Sequence, residues 1–181
     1  MRRFGGRVRR TLVTGGARSG KSAWAEQALR DEPTVTYLAT ARNYPDDADW
    51  QVRLAAHRAR RPARWRTVET VGVAAVLRDA DGAVLVDDIG NWLTRTLDDT
   101  GAWDDPDAVR VLRARADDLV TAWRQTRARV VAVTNEVGSG VVPATASGRL
   151  FRDELGRLNA RLAAHSDRVV LLTCGIPLRV R

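Results

Sequence analysis

Along the chain, short β-branched apolar runs alternate with longer segments whose apolar positions recur at three and four residues. This alternation predicts βα units built around a parallel sheet. The expected strands are Arg10–Thr14, Thr34–Thr40, Ala83–Asp87, Arg129–Thr134 and Arg168–Thr173. Each is mostly apolar instead of strictly alternating, as strands covered on both faces are. The expected helices are Lys21–Arg30, Asp47–Arg60, Pro106–Arg127 and Ala146–His165, with a weaker one at Gly72–Arg78. In the third, Val109, Leu112, Ala116, Leu119, Val120 and Trp123 make one apolar stripe. There Asp105 reads as an N-cap and Pro106 as a first-turn proline. The polar stretch Gly101–Asp107 reads as a surface loop.

With 181 residues the chain suits one domain large enough to bury a core unaided. Its net charge of +8 is uneven. Five arginines (Arg2, Arg3, Arg7, Arg9, Arg10) and no acid fall in the first ten residues, so the rest carries only +3. The expected organisation is a basic, disordered arm over residues 1–9 and one nucleotide-binding domain over 10–181. A basic tail is not the basic face that nucleic-acid binding needs. The single cysteine, Cys174, excludes an intramolecular disulfide or a multi-cysteine zinc site, and two histidines exclude a His-rich cluster. No apolar stretch approaches a membrane span, and the basic N-terminus lacks a signal peptide's apolar core. The chain therefore reads as soluble and cytoplasmic, with no membrane insertion and no nucleic acid as partner.

One count changes the picture. Of 30 basic residues, 29 are arginine and one is lysine, Lys21. It stands in Gly15-Gly16-Ala17-Arg18-Ser19-Gly20-Lys21-Ser22, directly after the first expected strand and before the first helix. The pattern G-x-x-x-x-G-K-[ST] in that context is a phosphate loop. Its glycines let successive N–H groups turn inward toward phosphate oxygens, and the helix N-terminus adds its positive dipole end. Lys21 can reach β- and γ-phosphates, and the Ser22 hydroxyl suits Mg²⁺. A triphosphate is implied, though not a reaction. Other strands should supply the rest of the site from their carboxyl ends. Three do end in polar residues: Thr40-Ala41-Arg42, Asp87-Asp88 and Thr134-Asn135-Glu136. Asp87 has the position of a Walker B carboxylate, a second metal ligand beside Ser22.

The stretch from Asp47 to Glu69 is the most unusual. On a helix, Trp50, Leu54, His57 and Arg61 share a face. A histidine among arginines should favour neutral imidazole, and the same arginines could hold phosphates. Attack by that imidazole on an α-phosphorus would give a phosphoramidate. On spacing alone a structural histidine packed on Trp50 ranks ahead of a nucleophile. His165 is explained as a partner of a helix C-terminus.

Several collinear segments resemble the bifunctional adenosylcobinamide kinase / adenosylcobinamide-phosphate guanylyltransferase family. They are Leu12–Ser22, Tyr37-Leu38-Ala39-Thr40-Ala41, His57-Arg58 followed by Arg61-Pro62, Trp65, Thr67 and Glu69, then Leu85-Val86-Asp87 and Asn91-Trp92-Leu93-Thr94. Thr134-Asn135-Glu136-Val137-Gly138, Gly140-Val141-Val142-Pro143, Phe151-Arg152-Asp153, Gly156-Arg157-Leu158-Asn159 and Gly175-Ile176-Pro177-Leu178 complete the set. The resemblance implies a RecA-like P-loop α/β fold and a homotrimer. It implies phosphorylation of adenosylcobinamide by ATP or GTP, then transfer of GMP from GTP to that phosphate through a guanylylated histidine. Carried over residue by residue, it makes His57 the nucleophile and Lys21 its catalytic companion. It gives the nucleotide contacts to Gly15–Ser22, Thr40, Ala41, Arg42, Arg58, Ala59, Arg60, Arg61, Glu69 and Asp87. Beside this reading stand a simple P-loop small-molecule kinase with a structural His57, and a nucleotide-dependent nucleic-acid-binding module using the basic arm.

Overall fold

The computed structural model describes residues 8–42, 46, 48, 52, 55 and 61–181. Seven strands form one sheet in the order β3-β2-β4-β5-β1-β6-β7. They are β1 (Arg10–Gly15), β2 (Val35–Ala39), β3 (Arg66–Glu69), β4 (Ala83–Asp87), β5 (Val130–Val133), β6 (Arg168–Thr173) and β7 (Ile176–Arg179). All pairings are parallel except β6 with β7. The described helices are α1 (Lys21–Ala28), α2 (Val73–Asp79), α3 (Ile89–Thr100), α4 (Ala108–Gln125) and α5 (Ala146–Ala164).

The apolar strands bury both faces, as expected. Leu12, Leu38, Val84, Val86, Val130 and Ala132 join one core with α2, α3, α4 and α5. Their neighbours in sequence, Val13, Tyr37, Leu85, Val131 and Val133, point the other way and pack with Ala25 of α1, with Leu29 just after it and with Trp65. Period-two alternation thus puts Tyr37 and Asp87 on the α1 side of the sheet.

Every expected strand is present within a residue or so of its bounds, and two more flank them. Both are edge strands: β3 is mostly exposed, and β7 is exposed throughout and contains Pro177, which only an edge tolerates well. A whole helix, α3, also lies where none was expected. Its stripe Ile89, Trp92, Leu93, Thr96, Leu97 is fully helical in spacing and buried, but one glycine and three threonines lower its intrinsic propensity. Asp88 caps its start by accepting the Asn91 N–H at 2.6 Å, and Gly101 ends it at φ +70°. The expected cap at Asp105 is corrected. α4 starts at Ala108 with Asp107 before it. Asp105 instead accepts the N–H of Asp107 at 2.8 Å, a local side-chain turn that competes with helix at this point. The expected helix Asp47–Arg60, with His57, lies outside the described residues apart from scattered positions.

At the other terminus Arg9, inside the expected arm, already receives the Val130 N–H on its carbonyl at 2.7 Å. Its own N–H and that of Arg10 reach Asp167. Among the described residues no helix is long and apolar enough to cross a membrane.

Candidate active site

The carboxyl ends of β1, β2, β3, β4 and β5 open on one edge of the sheet. β1 runs into the loop Gly15–Gly20, and Trp24 N–H to Gly20 carbonyl at 3.0 Å starts α1. Glycine is demanded twice here. A Cβ on Gly15 would stand 2.4 Å from the Leu172 carbonyl oxygen, and Gly20 sits at φ +94°. Arg18 also adopts a positive φ, +56°, which turns the loop back on itself. Two hydrogen bonds tie the loop to the sheet: Glu136 N–H to the Gly15 carbonyl and Gly175 N–H to the Ser19 carbonyl, both 3.1 Å. The Ser19 hydroxyl is buried without a protein partner.

Lys21 is buried with its ammonium donating to the Gly16 carbonyl at 2.9 Å. Burial pulls its pKa below the ordinary lysine value, while Asp88 and then Asp87 act against that pull. Ser22 Oγ donates to Asp87 Oδ1 at 3.3 Å, across from α1 to β4. The other oxygen, Asp87 Oδ2, accepts the Tyr37 hydroxyl. Among the described residues no group of three or more His, Cys, Asp or Glu could enclose a metal. A hydroxyl facing a single carboxylate is instead the sparse oxygen set that suits Mg²⁺, which keeps waters and takes phosphate oxygens.

Behind this pair lies a second network. Asp88 Oδ2 accepts the Asn135 side-chain amide at 3.3 Å, and the Asp88 carbonyl accepts the Thr40 hydroxyl at 2.6 Å. Thr134 Oγ1 donates to Asn159 Oδ1 at 2.7 Å, and Asn159 Nδ2 donates to the Asn135 carbonyl at 3.0 Å. Burial, followed by repulsion from Asp87, pushes the Asp88 carboxyl up to about 6.

A model of the family described as cobinamide kinase / cobinamide phosphate guanyltransferase matches residues 11–180. The chain belongs to this family. It is 41% identical over 180 residues to the bifunctional adenosylcobalamin biosynthesis protein CobU of Salmonella typhimurium, covering 94% of this chain and 98% of that one. It is 38% identical over 177 residues to the protein CobP of Pseudomonas aeruginosa, which carries the same bifunctional description, covering 95% and 97%. A solved ATPase of a type III secretion system superposes with a TM-score of 0.61 at 12% identity, over 91% of this chain and 51% of that one. That likeness concerns the fold alone, and it is the P-loop α/β fold expected.

On this cobinamide kinase / guanyltransferase framework, most but not all of the sequence-derived site residues among the described ones come together. Gly15, Gly16, Ala17, Arg18, Ser19, Gly20, Lys21, Ser22 and Asp87 come together around the loop. Thr40 and Ala41 follow β2 beside them, and Asp87, Ala39 and Glu69 stand in one register row across β4, β2 and β3. Arg61 lies with its guanidinium 3.8 Å from the Tyr37 ring centroid and donates to Thr67 Oγ1 at 3.0 Å. Arg42 points elsewhere. It pairs with Asp99 at 2.7 Å and Asp98 at 3.5 Å, at the far end of α3. His57, Arg58, Ala59 and Arg60 lie outside the described residues. Sequence reasoning named Asp88 and Asn135 at polar strand ends and Tyr37 and Asn159 within the family-like segments, and gave none of the four a specific contact. Asp88 and Asn135 follow β4 and β5, where the strand ends were the signal; Tyr37 is in the middle of β2 and Asn159 is on α5, where family likeness was the signal available.

Proposed function

We propose that the chain phosphorylates the side-chain hydroxyl of adenosylcobinamide with ATP or GTP. It then transfers GMP from GTP to the new phosphate through a guanylylated His57. The observation that carries this reading is the one lysine of the chain, buried in the phosphate loop beside Asp87 and Asp88, in a sequence of this family.

The two reactions attack different phosphorus atoms. In the first, the corrinoid hydroxyl oxygen bonds to the γ-phosphorus, gives up its proton and displaces the nucleoside diphosphate. In the second, a ring nitrogen of His57 bonds to the α-phosphorus and pyrophosphate leaves. The phosphate oxygen of the corrinoid then takes the GMP, and the P–N bond breaks. A loop that grips β- and γ-phosphates serves both. In the first step Lys21 and the α1 N-terminus stabilise charge on the transferring group. In the second the same groups hold the departing pyrophosphate. Ser22 and Asp87 would hold Mg²⁺, which supplies charge neutralisation between the phosphates. Thr40, Ala41 and Glu69 line the same sheet edge and would contact the nucleoside. Arg58, Ala59, Arg60 and Arg61 would follow the phosphates from the histidine side. Arg42 is the exception, since its acidic partners on α3 hold it. The working form we propose is a cytoplasmic homotrimer whose acceptor is the corrinoid, not nucleic acid or a membrane.

Incubation with α-labelled GTP followed by denaturation tests the covalent step. An acid-labile, alkali-stable label should form on the wild type and vanish in His57→Ala. Undiminished label on that variant would remove His57 as the nucleophile and, with His165 the other imidazole in the chain, would overturn the mapping.

A further inference from the structure

We propose that Tyr37 is a positioning residue that joins the two halves of the site: its hydroxyl sets the Asp87 carboxylate for the metal, and its ring face seats Arg61, four residues beyond His57. The inference rests on the reading of Ser22 and Asp87 as the metal-binding pair.

The geometry is specific. Tyr37 is 4% exposed, in the middle of β2 and in register with Leu85. From there its phenol reaches up the sheet to Asp87 Oδ2. A carboxylate on a strand end can turn about χ2 with little resistance. With Oδ2 held by the phenol, Asp87 presents Oδ1 toward Ser22 at 3.3 Å. A phenol is protonated at neutral pH, so the ring keeps its donor. The opposite side of the same ring carries the Arg61 guanidinium at 3.8 Å, a cation–π stack whose cation is further fixed by Thr67. One aromatic ring therefore touches the metal carboxylate through its hydroxyl and Arg61 through its face. Phenylalanine would keep the face and lose the hydroxyl contact. Leucine would lose both.

That difference gives the test. Mn²⁺ affinity is read by electron paramagnetic resonance on protein saturated with GDP, GDP affinity is read in EDTA, and GTP labelling is read at saturating Mg²⁺. Tyr37→Phe should weaken Mn²⁺ about tenfold or more, the scale of a hydrogen bond to a charged group. Its GDP affinity in EDTA should stay within twofold of wild type, and its labelling rate within threefold. Tyr37→Leu should weaken Mn²⁺ similarly and also slow labelling at least tenfold. Arg61→Gln keeps the Tyr37 hydroxyl on Asp87 and should reproduce the labelling defect with wild-type Mn²⁺ affinity. Wild-type Mn²⁺ affinity in Tyr37→Phe would overturn the carboxylate half of the proposal. Equal labelling rates in Tyr37→Leu and Tyr37→Phe, or a wild-type rate in Arg61→Gln, would overturn the other. Wild-type protein whose GDP complex binds no Mn²⁺ would instead remove the metal-site reading itself.

Discussion

Replacing Asn159 with alanine should cost the fold roughly 2–4 kcal/mol, and the sum can be followed atom by atom. Asn159 bridges α5 to the end of β5: its Oδ1 accepts from Thr134 Oγ1 at 2.7 Å and its Nδ2 donates to the Asn135 carbonyl at 3.0 Å. Thr134 is 0% exposed, so alanine strands its hydroxyl away from water, at about 1–3 kcal/mol. Asn135 is only half-buried, so water can take its carbonyl and the loss there is about 1 kcal/mol. Urea unfolding followed by tryptophan fluorescence measures the difference, with an unchanged m-value as the sign that only stability moved. The decisive control is Thr134→Val. Alone it should destabilise, because it removes one partner of a made bond. On the Asn159→Ala background it should restore about 1 kcal/mol or more, because it removes the orphaned hydroxyl. A loss below about 0.5 kcal/mol in Asn159→Ala, or no recovery in the double variant, would refute the reasoning.

Lys21→Ala should abolish phosphoryl transfer and reduce guanylylation, a loss on the order of 10³-fold or more. Lys21→Arg should rescue neither, since a wider planar fork does not fit the buried position of a slim ammonium; steady-state rates with cobinamide check both. The Asp88 carboxyl, pushed to about 6 in the fold from 3.8, binds a proton that the unfolded chain has already released between those values. Its contribution is fully present below about pH 4 and is lost as pH rises through 6. Asp88→Asn should therefore gain on wild type by up to about 3 kcal/mol between pH 4 and 7.5. Denaturation curves across that range should show the gain, and parallel pH profiles for the two proteins would exclude it.

Which parts of the fold were legible in the sequence follows from burial. The five central strands could be read because both of their faces are covered, which leaves a run of apolar residues with no competing pattern. β3 and β7 could not, since edge strands bury little: Arg66-Thr67-Val68-Glu69 offers one apolar residue, and Ile176-Pro177-Leu178-Arg179 is exposed throughout. α3 was legible in spacing and hidden by composition. For the site, the phosphate loop was readable because its chemistry is local, eight consecutive residues with one backbone path. Arg42 illustrates the opposite case. Its place after a strand end and the family likeness suggested a nucleotide contact, and only the fold shows Asp98 and Asp99 within reach of its guanidinium. Tyr37 reads as one more core aromatic on β2, and its partner is fifty residues away.

The position of β1 sets a schedule for synthesis. It lies between β5 and β6, with Thr11 opposite Val131 on one side and Arg168 on the other, and the loop beyond it leans on Gly175. Translation reaches the phosphate loop well before β5 and β6, the strands on either side of β1. At about 5–20 residues per second the interval from the loop to the end of β6 is roughly eight to thirty seconds. Throughout it the nascent chain has the glycines and the lysine without the walls that aim them. Nucleotide stabilises only the finished fold, so it can reward folding once β6 is in place and cannot draw the emerging chain toward it.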